Sequence, residues 1–418
     1  MSKLEELINK LCPNGVEFKT LGELGKFYGG LTGKSKEDFN KGNAKFITYK
    51  NVYENLSLKI DVEDRVNIGE NEKQRTLEYG DIIFTGSSET SDECGISSVL
   101  TQKTEEKLYL NSFCFFLRLN DKNLLNPDFT KHLFRSSNLR YQIGKTASGV
   151  TRFNVSKKAM EKVCIPVPPL EVQCEIVRIL DNFTLLSAEL SAELSARQKQ
   201  YEYYLNDLLN IKKLNPEKIM YVKDLFEIKN GLNKEKSAFG KGTPIVNFTD
   251  VYKNRYLIKE MLKGKVTLND FEIERYKVLK GDVFFTRTSE TRDDIGMSSA
   301  VIEDIEDCTF SGFVLRARPI TNLLSPKFCA YYFSTNQVRD NIVRYASFTT
   351  RATTSGPKLA KIPVPIISLK EQERIVNILD KFEKLCNDLS EGLPAEIEAR
   401  KKQYEYYRDK LLTFKELK

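Results

Sequence analysis

The second half of the sequence repeats segments of the first half, and this internal duplication constrains the fold more than any other feature. Segment 165–168 (IPVP) returns at 362–365, segment 176–183 (IVRILDNF) returns as IVNILDKF, and segment 199–204 (KQYEYY) returns unchanged at 402–407. A displacement of about 200 residues aligns nearly the whole chain, and a repeat of that length indicates duplicated domains rather than a solenoid of short repeats.

Two long segments, 170–209 and 369–412, have the apolar spacing of amphipathic helices. The steps of three and four residues are typical of the narrow seam of a coiled coil. Because one helix cannot bury such a seam alone, we expect the two helices to pair with each other, antiparallel. The predicted seam residues are Ile176, Ile179, Phe183, Leu186 and Leu190 in the first copy, and Ile375, Ile378, Phe382, Leu385 and Leu389 in the second.

The two helical segments differ in their middle parts. The first carries a tandem tetrapeptide, SAEL-SAEL, at 187–194. The second has Gly392 and Pro394 in the equivalent zone, which predicts a kink or an interruption. Ser368 with Glu371 three residues later predicts a capping box at the start of the second helix.

The segments between the helices alternate short apolar runs with turns. Segment 80–90 (GDIIFTGSSET) corresponds to 281–291 (GDVFFTRTSET), and each predicts a turn, a buried β-strand and a hydroxyl-rich loop. The predicted fold class is therefore α+β: two tandem α/β domains, separated by two long helices that form an antiparallel intramolecular coiled coil, related by a pseudo-twofold. The predicted boundaries are 1–165 and 213–365 for the α/β domains and 166–212 and 366–418 for the helices.

Composition places the chain among globular proteins. At 418 residues with 40% hydrophobic content it can form more than one core. The sequence shows neither a signal peptide nor an apolar stretch long enough to span a membrane, so we expect a cytoplasmic protein. The eight cysteines are scattered without a C-x-x-C pair, as expected for reduced, mostly buried thiols.

A basic run occurs at matching places in both copies. No acidic residue lies between Phe129 and Met160, and only Asp340 lies between Lys327 and Lys361, whereas both runs contain several lysines and arginines. Hydroxyl and aromatic residues are interleaved, a mixture suited to phosphate contacts and to arginine contacts with base edges. The alternative is a solvated basic face. The DNA-contact candidates in these runs are Lys145, Ser148, Thr151, Arg152, Arg344, Thr350 and Arg351.

The hydroxyl-rich loops are a second candidate surface. The candidates are Ser87 and Ser88 in the first copy, and Arg287, Thr288 and Arg292 in the second. Such a loop is also often only a turn in which Ser and Thr cap their own backbone. If the loops contact DNA, their divergence from TGSSETSD to TRTSETRD indicates that the two copies select different sequences.

The sequence gives little support for catalysis. Segment 29–35 (GGLTGKS) imitates a phosphate-binding loop, but Tyr28 stands where that motif requires its first glycine. His132 is the only histidine, and we interpret it as structural. We find no glycine fingerprint for a dinucleotide or an S-adenosyl group, and no closely spaced carboxylates for a metal. We therefore predict no catalytic residue and no metal ligand.

Together these features resemble the specificity (S) subunit of type I restriction-modification enzymes. The resemblance covers essentially the whole chain and rests on LCPNGVEFKTLGEL (11–24), the paired Gly-Asp strands, SGVTRFNVSKKAMEKVCIPVPPLEVQ (148–173) and the paired IV(R/N)ILD(N/K)F helices. The second copy departs from the first at 352–365, where FNVSKKAM has no close match.

The resemblance implies a non-catalytic protein that recognises a bipartite, asymmetric double-stranded DNA site, with one half-site for each target recognition domain. The helices, with their seam residues, would hold the domains apart and dock two methyltransferase and two restriction/translocase subunits. S-adenosylmethionine, ATP and Mg²⁺ would bind to those other subunits and none of them to this chain. No association with a membrane is implied.

Two other classes remain open. A two-headed coiled-coil adaptor for proteins or other non-DNA ligands could have the same helices, but its binding to DNA would lack the steep salt dependence of phosphate contacts. An enzyme with an unrecognised site would modify its substrate without partner subunits.

Overall fold

A computed structural model of the chain describes residues 2–39, 42–388 and 392–417. The chain forms two compact units. Unit 1 comprises Met1–Ser191 together with Glu396–Lys418, and unit 2 comprises Ala192–Ala395. Each unit therefore combines one α/β domain with parts of both helical segments.

The described residues from 2 to 208 form twelve short strands and seven α-helices, and the last of these helices continues from unit 1 into unit 2. The helices are α1 (Lys3–Leu11), α2 (Leu21–Leu24), α3 (Tyr49–Glu54), α4 (Pro127–Leu133), α5 (Ser137–Gly144), α6 (Lys157–Met160) and α7 (Leu170–Leu208). The strands are β1 (Glu17–Thr20), β2 (Gly25–Gly29), β3 (Ala44–Ile47), β4 (Arg65–Val66), β5 (Ile82–Thr85), β6 (Ser87–Ser88), β7 (Ser97–Val99), β8 (Leu108–Leu110), β9 (Cys114–Leu119), β10 (Ala147–Ser148), β11 (Phe153–Val155) and β12 (Cys164–Val167).

The second half of the chain repeats this order. Its helices are α8 (Ile211–Leu214), α9 (Val222–Leu225), α10 (Phe248–Lys253), α11 (Asp270–Tyr276), α12 (Pro326–Tyr332), α13 (Asn336–Tyr345), α14 (Gly356–Leu359), α15 (Leu369–Asn387) and α16 (Leu393–Leu411). Its strands are β13 (Lys218–Tyr221), β14 (Phe226–Asn230), β15 (Phe239–Val246), β16 (Tyr256–Leu257), β17 (Lys265–Val266), β18 (Val283–Thr286), β19 (Thr288–Ser289), β20 (Ser298–Val301), β21 (Thr309–Phe310), β22 (Val314–Pro319), β23 (Ser347–Phe348), β24 (Ala352–Thr353) and β25 (Pro363–Ile366).

The strand after each Gly-Asp turn lies inside the main sheet of its unit. The sheet order is β2-β9-β5-β7 in unit 1 and β14-β22-β18-β20-β16 in unit 2. All four residues of β5 are buried because the sheet is covered on both faces. Ile82 and Phe84 face the core that contains α4, whereas Ile83 faces the core that contains α3, as expected from the alternation of side chains along a strand. The predicted α+β class and duplicated domains are confirmed.

The first part of α7 packs into the core of unit 1. Val172, Ile176 and Leu180 are completely buried there, and Ile375 and Leu379 of α15 lie in the same way in the core of unit 2. The prediction of a narrow coiled-coil seam was wrong on this point. Each helix buries a wider apolar stripe, because it covers its own domain as well as a second helical segment.

The helical segments also pair with each other, as predicted. The Phe183 ring stacks on Tyr407 of α16, with 5.2 Å between ring centroids, and the Tyr204 ring lies 5.4 Å from that of Phe382 in α15. The first pair lies in unit 1 and the second in unit 2, so each unit contains its own contact between the two helical segments. Ile179, Leu186, Leu190 and Ile378 are partly buried, Leu385 is 39% exposed, and Leu389 lies outside the described residues.

The second helical segment is interrupted where Gly392 and Pro394 predict a break, since α15 ends at Asn387 and α16 begins at Leu393. Ser368 caps α15 by accepting a hydrogen bond from Glu371 N, 3.2 Å away. The predicted capping box is incomplete, because the Glu371 carboxylate accepts hydrogen bonds from Arg374 instead.

A buried glutamine fastens each helix to its domain. Gln173 Oε1 accepts a hydrogen bond from Asn126 N (2.8 Å), and its Nε2 donates to Leu124 O (3.1 Å) and Pro168 O (2.7 Å). Gln372 makes the same three bonds in unit 2, with Ser325 N, Leu323 O and Ile367 O. Both side chains are fully buried, so these bonds satisfy polar groups that water cannot reach.

The end of the chain completes unit 1. Val16 N donates to Lys415 O, and Leu417 N donates to Val16 O, both at 2.9 Å. Leu412 is buried in the core of that unit. Among the described residues, no helix is both long and apolar enough to cross a membrane. Five of the eight cysteines are buried, as predicted: Cys94, Cys114, Cys308, Cys329 and Cys386.

Candidate nucleic-acid interface

The hydroxyl-rich loop and the basic run, predicted as separate surfaces, come together in one small sheet. In unit 1 the strand order is β10-β11-β6, in which Phe153 pairs with Ser88 and Asn154 with Ser87. Unit 2 repeats it as β19-β24-β23, in which Thr288 pairs with Thr353. We call these three-stranded sheets the loop sheets.

Most candidates in unit 1 lie on or beside the loop sheet. Ser88 is partly buried, and Lys145, Ser148, Thr151 and Arg152 are exposed. Ser87 is only 7% exposed, and its hydroxyl accepts a hydrogen bond from Arg152 Nε at 3.3 Å. The Lys145 ammonium lies 4.1 Å from the centre of the Tyr141 ring. Ser87 therefore positions Arg152 rather than presenting its own hydroxyl.

The candidates in unit 2 occupy matching places. Arg287 and Thr288 are partly buried, whereas Arg292, Arg344, Thr350 and Arg351 are exposed. The Arg351 guanidinium lies 3.9 Å from the Glu290 carboxylate, both largely exposed, so the pair holds Arg351 weakly. Arg344 donates to the side chain of Asn341 and lies over the Tyr345 ring.

Three arginines of the basic runs are partly buried and donate hydrogen bonds to backbone carbonyls. Arg135 donates to the carbonyls of Ser97, Val52 and Tyr53, and Arg140 donates to those of Asp92, Cys94 and Gly95. Burial lowers the pKa of both to about 10. Arg339 donates to Asp293 O in unit 2, and burial lowers its pKa as well. The charge count of the sequence therefore overstates the exposed positive charge, because these side chains hold loops in place.

Each loop sheet borders an open groove with an aromatic wall. In unit 1 the Tyr49 and Tyr53 rings are stacked with their centroids 6.1 Å apart, and in unit 2 Phe248 and Tyr252 are stacked at 5.6 Å. The grooves have volumes of 520 Å³ and 430 Å³. Residues at corresponding places line both: Ser87, Ser88, Glu93, Phe113 and Arg152 in unit 1, and Thr288, Ser289, Asp294, Phe313 and Arg351 in unit 2.

Sequence reasoning missed the aromatic and acidic residues of the grooves. Phe113 and Phe313 are 59% and 65% exposed, unusual for phenylalanine. The signal was the recurrence of an aromatic at the same place in both copies, as in TYKNVY (48–53) and NFTDVY (247–252).

Glu93 is held in a defined orientation in unit 1. Tyr53 Oη donates to its Oε1 at 2.8 Å, and Ser88 Oγ donates to its Oε2 at 3.3 Å. The bond from Tyr53 is the main reason why the pKa of Glu93 is lowered. In unit 2, Thr291 Oγ1 donates to Asp294 Oδ2 at 2.5 Å. Both grooves therefore present an oriented hydrogen-bond acceptor.

Two residues that resemble parts of catalytic or phosphate-binding sites, Lys34 and His132, have structural roles. Lys34, in the segment that imitates a phosphate-binding loop, lies 2.5 Å from the Glu72 carboxylate with a side chain only 8% exposed. His132 is completely buried, with Nδ1 2.8 Å from Tyr404 Oη and Nε2 2.8 Å from Asp181 Oδ1. Residues 2–39, 42–388 and 392–417 contain no cluster of His, Cys, Asp and Glu that could hold a metal ion.

Comparison with known proteins gives concordant similarities. Residues 13–197 and 216–399 match the family described as "Type I restriction modification DNA specificity domain". The specificity subunit of the Escherichia coli EcoR124I/EcoR124II type I restriction enzyme is 35% identical over 278 residues, which is 62% of this chain and 65% of the relative. That alignment therefore spans slightly less than two thirds of the relative. A putative Haemophilus influenzae specificity subunit is 32% identical over 313 residues, 71% of this chain and 74% of that protein.

Solved structures share the fold. A chain from a structure that describes complex assembly and conformational transition of a type I restriction-modification system gives a TM-score of 0.64 at 16% identity, covering 96% of this chain and 98% of that one. The HsdS subunit of Thermoanaerobacter tengcongensis gives a TM-score of 0.51 at 15% identity, covering 96% and 97%.

Proposed function

This chain belongs to the family of type I restriction-modification specificity subunits, and from that premise we propose that it selects a bipartite DNA site, one half-site with each unit. The observation that carries the proposal is the duplicated loop sheet. Each unit presents hydroxyl groups, exposed arginines and a bordering groove in the same arrangement, but with different residues at matching positions. Duplicated surfaces with different side chains suit two unlike half-sites.

Exposed cations at the loop sheets suit contacts with phosphates on both sides of the bases. Lys145, Arg152, Arg344 and Arg351 are the proposed contacts, since their side chains are accessible. Arg135, Arg140 and Arg339 are excluded from the proposal because they are buried in bonds to backbone carbonyls. Phosphate contacts release counterions, so we expect DNA affinity to fall steeply with salt. The adaptor alternative predicts no such dependence.

We further propose that methyltransferase and restriction subunits dock along the helices and carry the catalytic sites, together with S-adenosylmethionine, ATP and Mg²⁺. Leu385 offers an exposed apolar side chain on α15. Tyr203 and Tyr406, at matching positions of the repeated KQYEYY segment, are 62% and 61% exposed. One such surface on each copy suits two identical partner subunits.

The test is co-expression of the chain with its methyltransferase subunits, followed by mapping of methylated bases across the host genome. We expect one motif made of two unlike half-sites separated by a spacer of fixed length. A continuous motif, or modification by the purified chain alone, would contradict the proposal.

A further inference from the structure

The grooves beside the loop sheets have a composition that contact with phosphates does not explain. Each is lined by two carboxylates, Glu89 and Glu93 in unit 1 and Glu290 and Asp294 in unit 2, together with an aromatic wall and an exposed phenylalanine. Of these, Glu93 and Asp294 accept hydrogen bonds from neighbouring hydroxyl groups and are oriented by them. A carboxylate repels phosphates, so its presence on a DNA-facing surface calls for a different contact. Carboxylates in major-groove interfaces accept hydrogen bonds from exocyclic amino groups, which phosphates and sugars lack.

We propose that Glu93 and Asp294 each accept a hydrogen bond from the exocyclic amino group of a cytosine or adenine, one in each half-site. The inference rests on the proposed function and adds the residues that discriminate between bases. In this assignment the exposed Phe113 and Phe313 rings give the apolar surface for a neighbouring thymine methyl group. Arg152 and Arg351 at the groove edge supply donors for guanine or phosphate.

The loops that carry the two carboxylates are fixed from behind. Arg140 donates to Asp92 O and Cys94 O on both sides of Glu93, at 2.8 and 2.6 Å. Arg339 donates to Asp293 O beside Asp294, at 2.7 Å. Both arginines are largely buried, so the backbone on which each acceptor sits is held in place before any ligand binds. Pre-positioning of this kind is required of a residue that must distinguish one base edge from another.

A glycine closes each loop at the same place. Gly95 and Gly296 have φ values of +63° and +65°, a left-handed conformation that side chains other than glycine rarely adopt. A Cβ there would lie 2.6 Å from Ile143 Cγ2 in unit 1 and 2.5 Å from Ile342 Cγ2 in unit 2. The same turn is therefore required in both units, although the acceptor that it positions differs.

The two grooves differ where discrimination would be expected. Aspartate at 294 is one methylene shorter than glutamate at 93, so its acceptor lies closer to the backbone. Tyr53 and Ser88 orient Glu93, whereas Thr291 orients Asp294. Tyr49 donates to Ser87 O at 2.9 Å, a bond that Phe248 at the matching position has no hydroxyl to form. The grooves therefore suit different bases at different depths.

The test uses the full chain in complex with its methyltransferase subunits. Glu93→Gln and Asp294→Asn preserve shape but convert the acceptor-only carboxylate into a group that also donates. We expect each variant to lower the preference for the cognate base by about tenfold at one position of one half-site. Each should leave the other half-site unchanged, which serves as an internal control for folding. Glu105→Gln and Glu306→Gln, at exposed acids outside the groove lining, should leave both half-sites unchanged.

The readout is genome-wide mapping of methylated bases, with competition binding to duplexes that carry single base-pair changes. If wild-type complex modifies a bipartite motif and both variants keep its base preferences, the groove assignment is wrong while the proposed function stands. If the wild type yields no bipartite motif, the proposed function fails, and this inference fails with it. Where a variant abolishes methylation, competition binding decides the matter instead. The assignment is overturned if base-pair substitutions in the two half-sites reduce the DNA affinity of the variant equally.

Discussion

The two units differ in the side chains that connect the long helices to the α/β domain. In unit 1, His132 of α4 lies between Asp181 of α7 and Tyr404 of α16. In unit 2, Tyr331 takes the place of the histidine, and its hydroxyl lies 2.5 Å from Asp380 Oδ1 and 2.7 Å from Glu383 Oε2. Tyr331 cannot reproduce the bond that His132 makes with Tyr404.

The substitution has consequences for both charge and hydrogen bonding. Burial lowers the pKa of His132, so it is neutral, and its Nε2 donates to Asp181 while its Nδ1 accepts from Tyr404. In unit 2, Arg255 pairs with Glu383 and lies over the Tyr331 and Tyr201 rings. Tyr201 corresponds to Tyr404 in the repeated KQYEYY segment, yet its buried hydroxyl has no hydrogen-bond partner in the described part of the chain. A segment that is identical in the two copies therefore need not make the same interactions in both units.

The largest expected difference between the units follows from removing residues 396–418. These residues belong to unit 1 and bring Tyr404, Tyr407, Leu411 and Leu412 to its core. Each buried apolar side chain of this size contributes roughly 1.5–3 kcal/mol, and whole domains are stable by only about 5–15 kcal/mol. We expect truncation after Ala395 to unfold unit 1 and leave unit 2 folded. Hydrogen exchange resolved by peptide measures this, and equal loss of protection in both units would show that the division is wrong.

A smaller and opposite pair of effects is expected from the matched tyrosines. Tyr404→Phe removes the donor to His132 Nδ1 and leaves a buried acceptor unpaired, at a cost of about 1–3 kcal/mol to unit 1. Tyr201→Phe removes a hydroxyl that has no described partner, so unit 2 should be unchanged or more stable by about 1 kcal/mol. The measurement is the denaturant dependence of hydrogen exchange in each unit. Equal destabilisation by both substitutions would refute the contrast between the junctions.

The pH dependence separates the units more finely. The unfolded chain takes up a proton on His132 near its ordinary pKa of 6.5, but burial keeps the folded histidine neutral to lower pH. The stability of unit 1 is therefore complete above pH 6.5 and falls below it, by at most about 1.4 kcal/mol per pH unit. Unit 2 contains no histidine. Unfolding between pH 7.5 and 5.5 should show the loss in the wild type, and His132→Asn, which keeps every carboxylate, should remove it. A slope that persists in that variant would assign the effect elsewhere.

The smallest effect is geometric and rests on the proposed function. The boundary between the units, at Ser191 and Ala192, falls inside the SAEL tandem of α7. One more SAEL unit lengthens a helix by about 6 Å and rotates its end by about 40°. We expect the spacer of the methylated motif to grow by about one or two base pairs, at about 3.4 Å each, with both half-sites unchanged. Altered half-sites would count against separate recognition by the two units.

Much of the fold could be predicted because the duplication repeats every local signal. The Gly-Asp turn before β5 and β18, and the interruption at Gly392 and Pro394, follow from local backbone preferences. The width of the helical stripe could not be predicted, because Leu180 and Leu379 are buried by strands and helices distant in sequence. Periodicity alone does not show what covers a helix.

The candidate site was predicted only in outline. Ser87 and Arg152 were identified separately, and their contact depends on the pairing of β6 with β11, which no local pattern indicates. Arg140 belongs to the basic run between Phe129 and Met160, so the sequence counts its charge together with that of Lys145. Arg140 differs from Lys145 because the fold places three backbone carbonyls within hydrogen-bond distance of its guanidinium. Glu93 and Phe113 were missed because the search for a DNA-binding surface looked for basic and hydroxyl residues, and an acidic or apolar residue does not fit that pattern.

The inclusion of residues 396–418 in unit 1 also affects how the protein is made. The ribosome synthesises every residue of unit 2 before it synthesises residues 396–418 of unit 1. Unit 1, whose synthesis begins first, can therefore complete its fold only after unit 2. Until residues 396–418 have been synthesised, the apolar faces of α4 and α7 that they cover stay exposed to chaperones and to wrong partners. A break in translation just after residue 395 would thus yield a folded unit 2 attached to an incomplete unit 1.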